Sequence, residues 1–346
     1  MAHDFGGSLV GTETDDARST ARNSHTAWRR LFAAAVLTVA ATLPGLEVAA
    51  AQSDAQLDYR GADLRGHDFS RQVLDGAVLT GANLTGADLR GASLKGADLR
   101  EAYLRETDGR GADFTGADLG SADLTRARLD GAIFTNARLL RAILDSASVA
   151  DATMRGALLA GASLVRANLE ASDLTGALLA DADLSQAVLR KATLNDAEIG
   201  ASGAGHPGPR GARMRGADLS EANLEGTGLV SVDLSEAVLR NANFRRARLQ
   251  HANLSWVRAP GARFNGAELS WVRAYGADFT AADFSDADLT STQLVGADLS
   301  GAIARGATLE DTNMEQATLR EFRVDGAFST GVRLGAATGV PDALRR

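Results

Sequence analysis

The sequence predicts an all-β solenoid, a chain coiled into a four-sided parallel β-helix. Three observations carry this expectation. A five-residue period, A-x-L-x-x, runs from Ala62 to Leu334. Its bulkiest members recur at twenty residues, and the composition lacks the aromatic content of ordinary cores: of 346 residues, 45% are hydrophobic but only 5% aromatic.

The period comes first because it sets the local structure. Gly61-Ala62-Asp63-Leu64-Arg65, Gly86-Ala87-Asp88-Leu89-Arg90 and Gly296-Ala297-Asp298-Leu299-Ser300 are typical units. Of the 55 positions spaced by five from 64 to 334, 48 are Leu, Phe, Ile, Val or Met, and two residues earlier Ala fills 41. Five residues on an α-helix turn about 140° beyond a full circle, which would scatter the Leu residues around every side. On a continuous strand an odd step would flip each successive Leu to the opposite face. A single buried set results only if each unit is a three-residue extended piece, A-x-L, with Ala and Leu inward, followed by a two-residue corner. Gly, Ser, Asn and Asp suit the corner backbone.

The number of sides follows from stacking. Phe at the Leu position gives pairs twenty apart (Phe114/Phe134, Phe244/Phe264, Phe264/Phe284) against one pair fifteen apart (Phe264/Phe279), and Met154 extends the first ladder. Four sides of five residues are favoured. With these residues in place, the chain resembles the pentapeptide repeat proteins, whose repeat reads A-(D/N)-L-x-x. The resemblance implies a right-handed, four-sided parallel β-helix, here of about 14 coils at the roughly 4.8 Å spacing of neighbouring strands.

Residues 1–51 read as a signal peptide and stand outside the repeat. Arg29 and Arg30 precede an apolar or Thr stretch from Leu31 to Leu43, then Pro44-Gly45 and Ala49-Ala50-Ala51 before Gln52. The stretch is shorter than the roughly 20 residues that span a bilayer as a helix, so cleavage before Gln52 is expected and no membrane span in the mature chain. Trp28-Arg-Arg-Leu-Phe32 resembles the twin-arginine export motif; an ordinary secretory signal is the alternative. The expected layout is therefore the signal, a lead-in at 52–60, a first solenoid part at 61–199, an irregular loop at 200–210, a second solenoid part at 211–335 and a tail at 336–346.

Two faults interrupt the pattern. Residues 200–210 (GASGAGHPGPR) keep the count of five but place Ala204 and Pro209 at Leu positions and bring in Pro207, so they are expected to loop out or kink the rod. At 106–110, Thr107 and Gly109 replace Ala and Leu.

A duplicated segment is more informative: Ser255-Trp-Val-Arg-Ala259 and Ser270-Trp-Val-Arg-Ala274. Val takes the Ala position and Ala the Leu position, and each Trp falls on a corner, facing out. Between residues 240 and 275 there are seven Arg and one acid, Glu268. Trp256, Arg258, Trp271, Arg273 and Tyr275 are expected on one face, with Arg248 nearby, as a partner-binding patch. The alternative is that each Trp merely covers a corner with Arg stacked on it. Asp68, Asp88 and Asp108 should form one column and Asp278 with Asp298 another, either as weak cation sites or as side chains bonded to neighbouring backbone amides.

Nothing in the sequence asks for catalysis. Zero Cys excludes disulfides and thiol chemistry. His67, His206 and His251 lie in no close metal spacing, and no phosphate loop or nucleophile elbow appears. No catalytic residue, metal or cofactor is expected. The leading functional expectation is a non-enzymatic, exported, periplasmic or extracellular scaffold that binds a protein or cell-envelope partner; end-to-end self-association is compatible with such a rod. The family supplies the alternative, a DNA-mimicking gyrase-interacting protein as among its cytoplasmic members. Against it, the mature chain keeps 39 acids against 32 bases, the basic 240–275 segment interrupts any acidic face, and twelve residues after Leu334 are too few for a substantial dimerisation helix. Nucleic acid is not expected as a partner.

Overall fold

The computed structural model describes residues 56–200 and 211–345. The expected signal and the core of the 200–210 fault lie outside these residues. The described unit is built from parallel bridges alone, apart from one short 3-10 helix at Asp342–Leu344 near the C-terminus.

Each five-residue unit contributes one bridge, at the residue between Ala and Leu, to the unit twenty residues further on. Four ladders result. Side 1 starts Asp58, Val78, Asp98; side 2 starts Asp63, Asn83, Tyr103; side 3 starts Asp68, Asp88, Asp108; side 4 starts Val73, Ser93, Asp113. Four sides of five residues are thus what the bridges describe. The Leu-position N–H donates to the coil on one side, as from Leu89 to the Asp108 carbonyl at 2.7 Å, while the bridge residue's N–H donates to the other, as from Asp88 to the His67 carbonyl at 2.9 Å.

The corners explain the five-residue period. The Ala N–H donates back to the preceding Leu-position carbonyl, as from Ala92 to Leu89 at 2.9 Å, closing a turn whose third residue has positive φ. Glycine serves there without cost, but the same left-handed backbone is imposed on Arg71, Glu101, Trp256 and Trp271, with φ between 58° and 63°. The repeat therefore tolerates residues well beyond the small and polar types, because the ladders on either side fix the corner.

Ala and Leu fill the interior. Ala87, Leu89, Ala97 and Leu99 are fully buried, and so are the Phe residues at Leu positions, Phe69 to Phe284. Phe114 and Phe134 stack at 4.9 Å, Phe244 and Phe264 at 5.0 Å, and Phe264 and Phe284 at 4.9 Å, each pair nearly parallel. These spacings match neighbouring strands, so the rings pile along the axis at one per coil. Met154 is buried as the next member of the first ladder.

The Asp residue of the motif locks the corner. Its Oδ1 accepts the N–H two residues on: from Ser70 to Asp68 at 2.9 Å, from Thr280 to Asp278 at 3.0 Å, and from Ser300 to Asp298 at 2.9 Å. Asp68, Asp88 and Asp108 do share a ladder, and Asp278 and Asp298 stand further along the same side 3. Of the two readings of these columns, the backbone-bonded one is what the geometry displays.

The fault at 106–110 leaves the ladder intact. Thr107 is fully buried and its hydroxyl donates to the Leu84 carbonyl at 2.9 Å. Thr227, Thr292 and Thr312 repeat this bond at other Ala positions. At Gly109 a Cβ would stand 2.9 Å from Cδ2 of Leu129, so the Leu of the neighbouring coil fills the missing volume.

At the 200–210 fault the ladder steps by thirty instead of twenty: Asp183 bridges Arg213, Leu178 having bridged Glu198. Ala212 donates to the Ile199 carbonyl at 2.9 Å, which is the ordinary corner bond drawn across the insertion. Gly200 and Gly211 flank it in tight contact. A Cβ at Gly200 would lie 2.7 Å from the Val230 carbonyl oxygen, and one at Gly211 2.7 Å from that of Ser231.

Candidate functional site

Both SWVRA units fold as their residues dictate. Val257, Val272, Ala259 and Ala274 point inward and are buried, which leaves Trp256 and Trp271 outside at the corners, 64% and 59% exposed. Trp271 lies at the corner between sides 1 and 2, and Trp256 at the corner between sides 2 and 3, one coil back.

The bridges then sort the candidate residues. Arg273 is on side 2, bridged to Asn253 and Gln293. Tyr275 follows at the next corner, against Trp256, whose backbone N–H donates to the Tyr275 carbonyl at 2.8 Å. Arg258 is not on this side: it belongs to side 3, bridged to Val238 and Asp278. Arg248 belongs to side 1, bridged to Gly228 and Glu268. The expectation of Arg258 on one face with the Trp residues fails because Ser255 and Trp256 are themselves the corner, so that Val257 and Arg258 already belong to side 3.

Arg248 is also engaged elsewhere. Its Nη2 lies 2.6 Å from Glu198 Oε1, two coils away, and the pair meets over Gly228. A Cβ at Gly228 would stand 2.9 Å from that Nη2 and 3.0 Å from Glu198 Cδ, so the glycine is what lets the two ends meet.

One further residue completes the site. Gly276 sits beside Tyr275 at the corner above Trp256, and a Cβ there would lie 2.5 Å from Cε3 and 2.8 Å from Cη2 of the indole. The benzo ring of Trp256 occupies the place of the missing side chain. Along a single coil the surface therefore reads Trp271, Arg273, Tyr275 and then the Trp256 ring reaching up over Gly276. The sequence signal existed, a glycine twenty residues after a Trp, but it acquires meaning only once the coil length is fixed. Trp271 in turn has the His251 imidazole stacked near it, centroids 6.4 Å apart and planes at 17°.

What distinguishes this row is the meeting of exposed rings with an unpaired guanidinium. Many Arg residues of the described surface are paired: Arg65 with Asp63 and Arg100 with Asp98 at 2.7 Å, Arg110 with Asp108, Arg155 with Asp173. The Arg65 and Arg100 guanidinium hydrogen bonds hold the Asp63 and Asp98 carboxyls down at about 2. Arg273, Arg258 and Arg263 have no carboxylate partner among the described residues, a state they share with Arg71, Arg141 and Arg320, but of these only Arg273 stands between exposed aromatic corners. The single acid of the segment, Glu268, accepts a hydrogen bond from the Gln250 amide instead. Among the described residues no group of His, Asp or Glu is arranged to hold a metal, and no helix is long and apolar enough to cross a membrane.

Comparison with known proteins agrees with this architecture. The family described as Pentapeptide repeats matches in eight copies, at 60–91, 87–126, 122–161, 162–198, 210–234, 228–266, 242–280 and 282–320. Among solved structures, the chain is similar to HetL of the cyanobacterium Nostoc sp. strain PCC 7120, a pentapeptide repeat protein involved in heterocyst differentiation regulation. The identity is 30%, over 75% of this chain and 90% of that one, with a TM-score of 0.29. It is also similar to QnrB1, a plasmid-mediated fluoroquinolone resistance protein, at 22% identity over 53% of this chain and 82% of that one, TM-score 0.28. A pentapeptide repeat protein of the Arabidopsis thaliana thylakoid lumen is 33% identical over 34% of this chain and 65% of that one, TM-score 0.14. No curated protein matches the sequence at a significant level.

Proposed function

The chain belongs to the pentapeptide repeat family, and from that premise we propose that it is a non-enzymatic rod, exported after loss of residues 1–51, which binds a cell-envelope partner through the Trp271–Arg273–Tyr275–Trp256 row. The rod is right-handed and of about 14 coils, a count supported by the uninterrupted bridging on side 1 from Asp58 to Phe328. One observation carries the binding role: exposed aromatic rings gathered around a guanidinium that the protein does not neutralise. Trp, Tyr and Arg supply most of the energy at recognition surfaces, and an unpaired cation among them is what an external anion would complete.

A DNA-mimicking, gyrase-interacting rod is the competing reading. The acids of side 3 argue against it, since Asp88 and Asp108 are each held by a guanidinium and Asp68, Asp278 and Asp298 are turned into their own corners. Such a column presents far less bare anionic charge than its sequence suggests.

The test pairs two measurements. N-terminal sequencing of the protein from a cell fractionation should give Gln52 in a non-cytoplasmic fraction; an intact cytoplasmic chain would remove the export reading and restore the gyrase one. A Trp256→Ala, Trp271→Ala double variant should keep its melting temperature yet lose the envelope component it otherwise retains. Unchanged retention with a lowered melting temperature would show the rings to be corner covers.

A further inference from the structure

We propose that the row is a subsite for an acidic polysaccharide, in which sugar rings lie on the two indoles and a uronic-acid carboxylate between them is held by Arg273; this rests on the binding role proposed above.

The geometry narrows the ligand by shape. Trp271 and the Tyr275 corner bracket one side of the coil, three extended residues wide, so roughly 10 Å separates the two aromatic ends. Trp256 and Trp271 are more than half exposed and stand on corners rather than lining a pocket, and the bridge positions above and below Arg273 are the amides Gln293 and Asn253, both half-buried. Flat aromatic platforms spaced along a line, with amides and one cation between them, suit a chain of flat-faced rings carrying hydroxyls and carboxylates. An acidic protein would need an apolar, water-excluding surround for its anchors, and a standard interface covers about 800 Å² per partner. The surface around this row is polar.

Charge narrows it further. The cationic zone is two coils high: Arg258, Arg263 and Arg273 share one coil, Arg240, Arg245, Arg246 and Arg248 lie on the coil before it, and the coil after it carries Asp278 and Asp283 on sides 3 and 4. A polyanion tracking along the rod would meet these carboxylates, which disfavours a nucleic-acid strand. A ligand crossing the rod at the single level of Arg273 would not. Glu268 stands on side 1 and Arg273 on side 2, and no carboxylate among the described residues pairs with Arg273, so its fork is free for a bidentate carboxylate.

The test uses tryptophan emission of the full chain, because two of its three Trp residues are in the row. The probes are an oligogalacturonate, its methyl ester, which keeps the rings and removes the charge, and poly-glutamate, which keeps the carboxylates and removes the rings. Oligogalacturonate should change the emission saturably, and the ester should bind at least about tenfold more weakly, as should Arg273→Ala toward oligogalacturonate, reflecting loss of a charge-assisted pair. The Arg273→Ala variant should keep the wild-type circular dichroism. An equal response to poly-glutamate would assign the row to an acidic protein, and a response that survives Arg273→Ala would move the sugar site elsewhere; either overturns the proposal. No response to oligogalacturonate while the Trp-dependent envelope retention persists would defeat the sugar assignment alone and leave the binding role standing.

Discussion

Gly276→Ala separates the role of the corner glycine from that of its backbone. Gly276 has φ +59°, and placing an L side chain in that region costs about 1–2 kcal/mol. The same cost applies to Gly296, one coil along the same corner, with φ +69° and no atom within 4 Å of its would-be Cβ. For a chain of this size each kcal/mol lowers the melting temperature by about 1.5–2 °C, so both variants should lose roughly 2–4 °C. They should differ in the indole. The added methyl of Gly276→Ala would overlap Trp256 at 2.5 Å and must push the ring off the corner, whereas Gly296→Ala leaves it in place. In a Trp271→Phe background the emission of Gly276→Ala should shift to the red with increased quenching by iodide, and that of Gly296→Ala should equal its parent. Identical spectra for the two variants would refute the seating of Trp256 over Gly276, and with it the continuity of the row.

Other expectations concern the scaffold. Leu89→Asp would put an uncompensated carboxylate at a fully buried position, costing several kcal/mol, and should abolish the thermal transition of the neighbouring coils; an unchanged melting curve would contradict the dry interior. Acid should also weaken the corners. The Asp63, Asp88 and Asp98 carboxyls sit at about 2, drawn down by Arg65, Arg90 and Arg100, below the unfolded value near 3.9. Their contribution is therefore complete above about pH 4 and is lost as pH falls through about 2, so the melting temperature should be level from pH 7 to 5 and drop between 4 and 2. A melting temperature that rose or held across that window would show the corner pairs to be inert.

Much of this fold was legible because each local choice repeats the same instruction. Ala and Leu at fixed spacing name the interior, Phe114 and Phe134 name the coil length, and Asp88 names the corner through an amide only two residues away. What could not be read were relations across coils. The insertion at 201–210 is ten residues long, two whole units, so the five-residue frame passes through it unchanged while the twenty-residue register does not. Gly109 looks like a defect until Leu129 is placed beside it, and Gly228 looks featureless until Glu198 and Arg248 meet over it. The site divides the same way. The outward Trp residues follow from Val257 and Val272 taking the inward place, but the loss of Arg248 to an ion pair and the part of Gly276 depend on neighbours twenty or fifty positions away.

The insertion has a consequence for what this scaffold can be made to carry. Gly200 donates to the Gly228 carbonyl at 2.8 Å and Ala212 to Ile199 at 2.9 Å, so the chain leaves and re-enters the wall through one doorway whose two posts are tied to each other and the first also to the next coil. The entropy of closing a loop across such a doorway grows only logarithmically with the length of the loop. A foreign peptide or a small domain could replace residues 201–210 without shifting a course of the stack, which makes this corner a display port with its frame already in place.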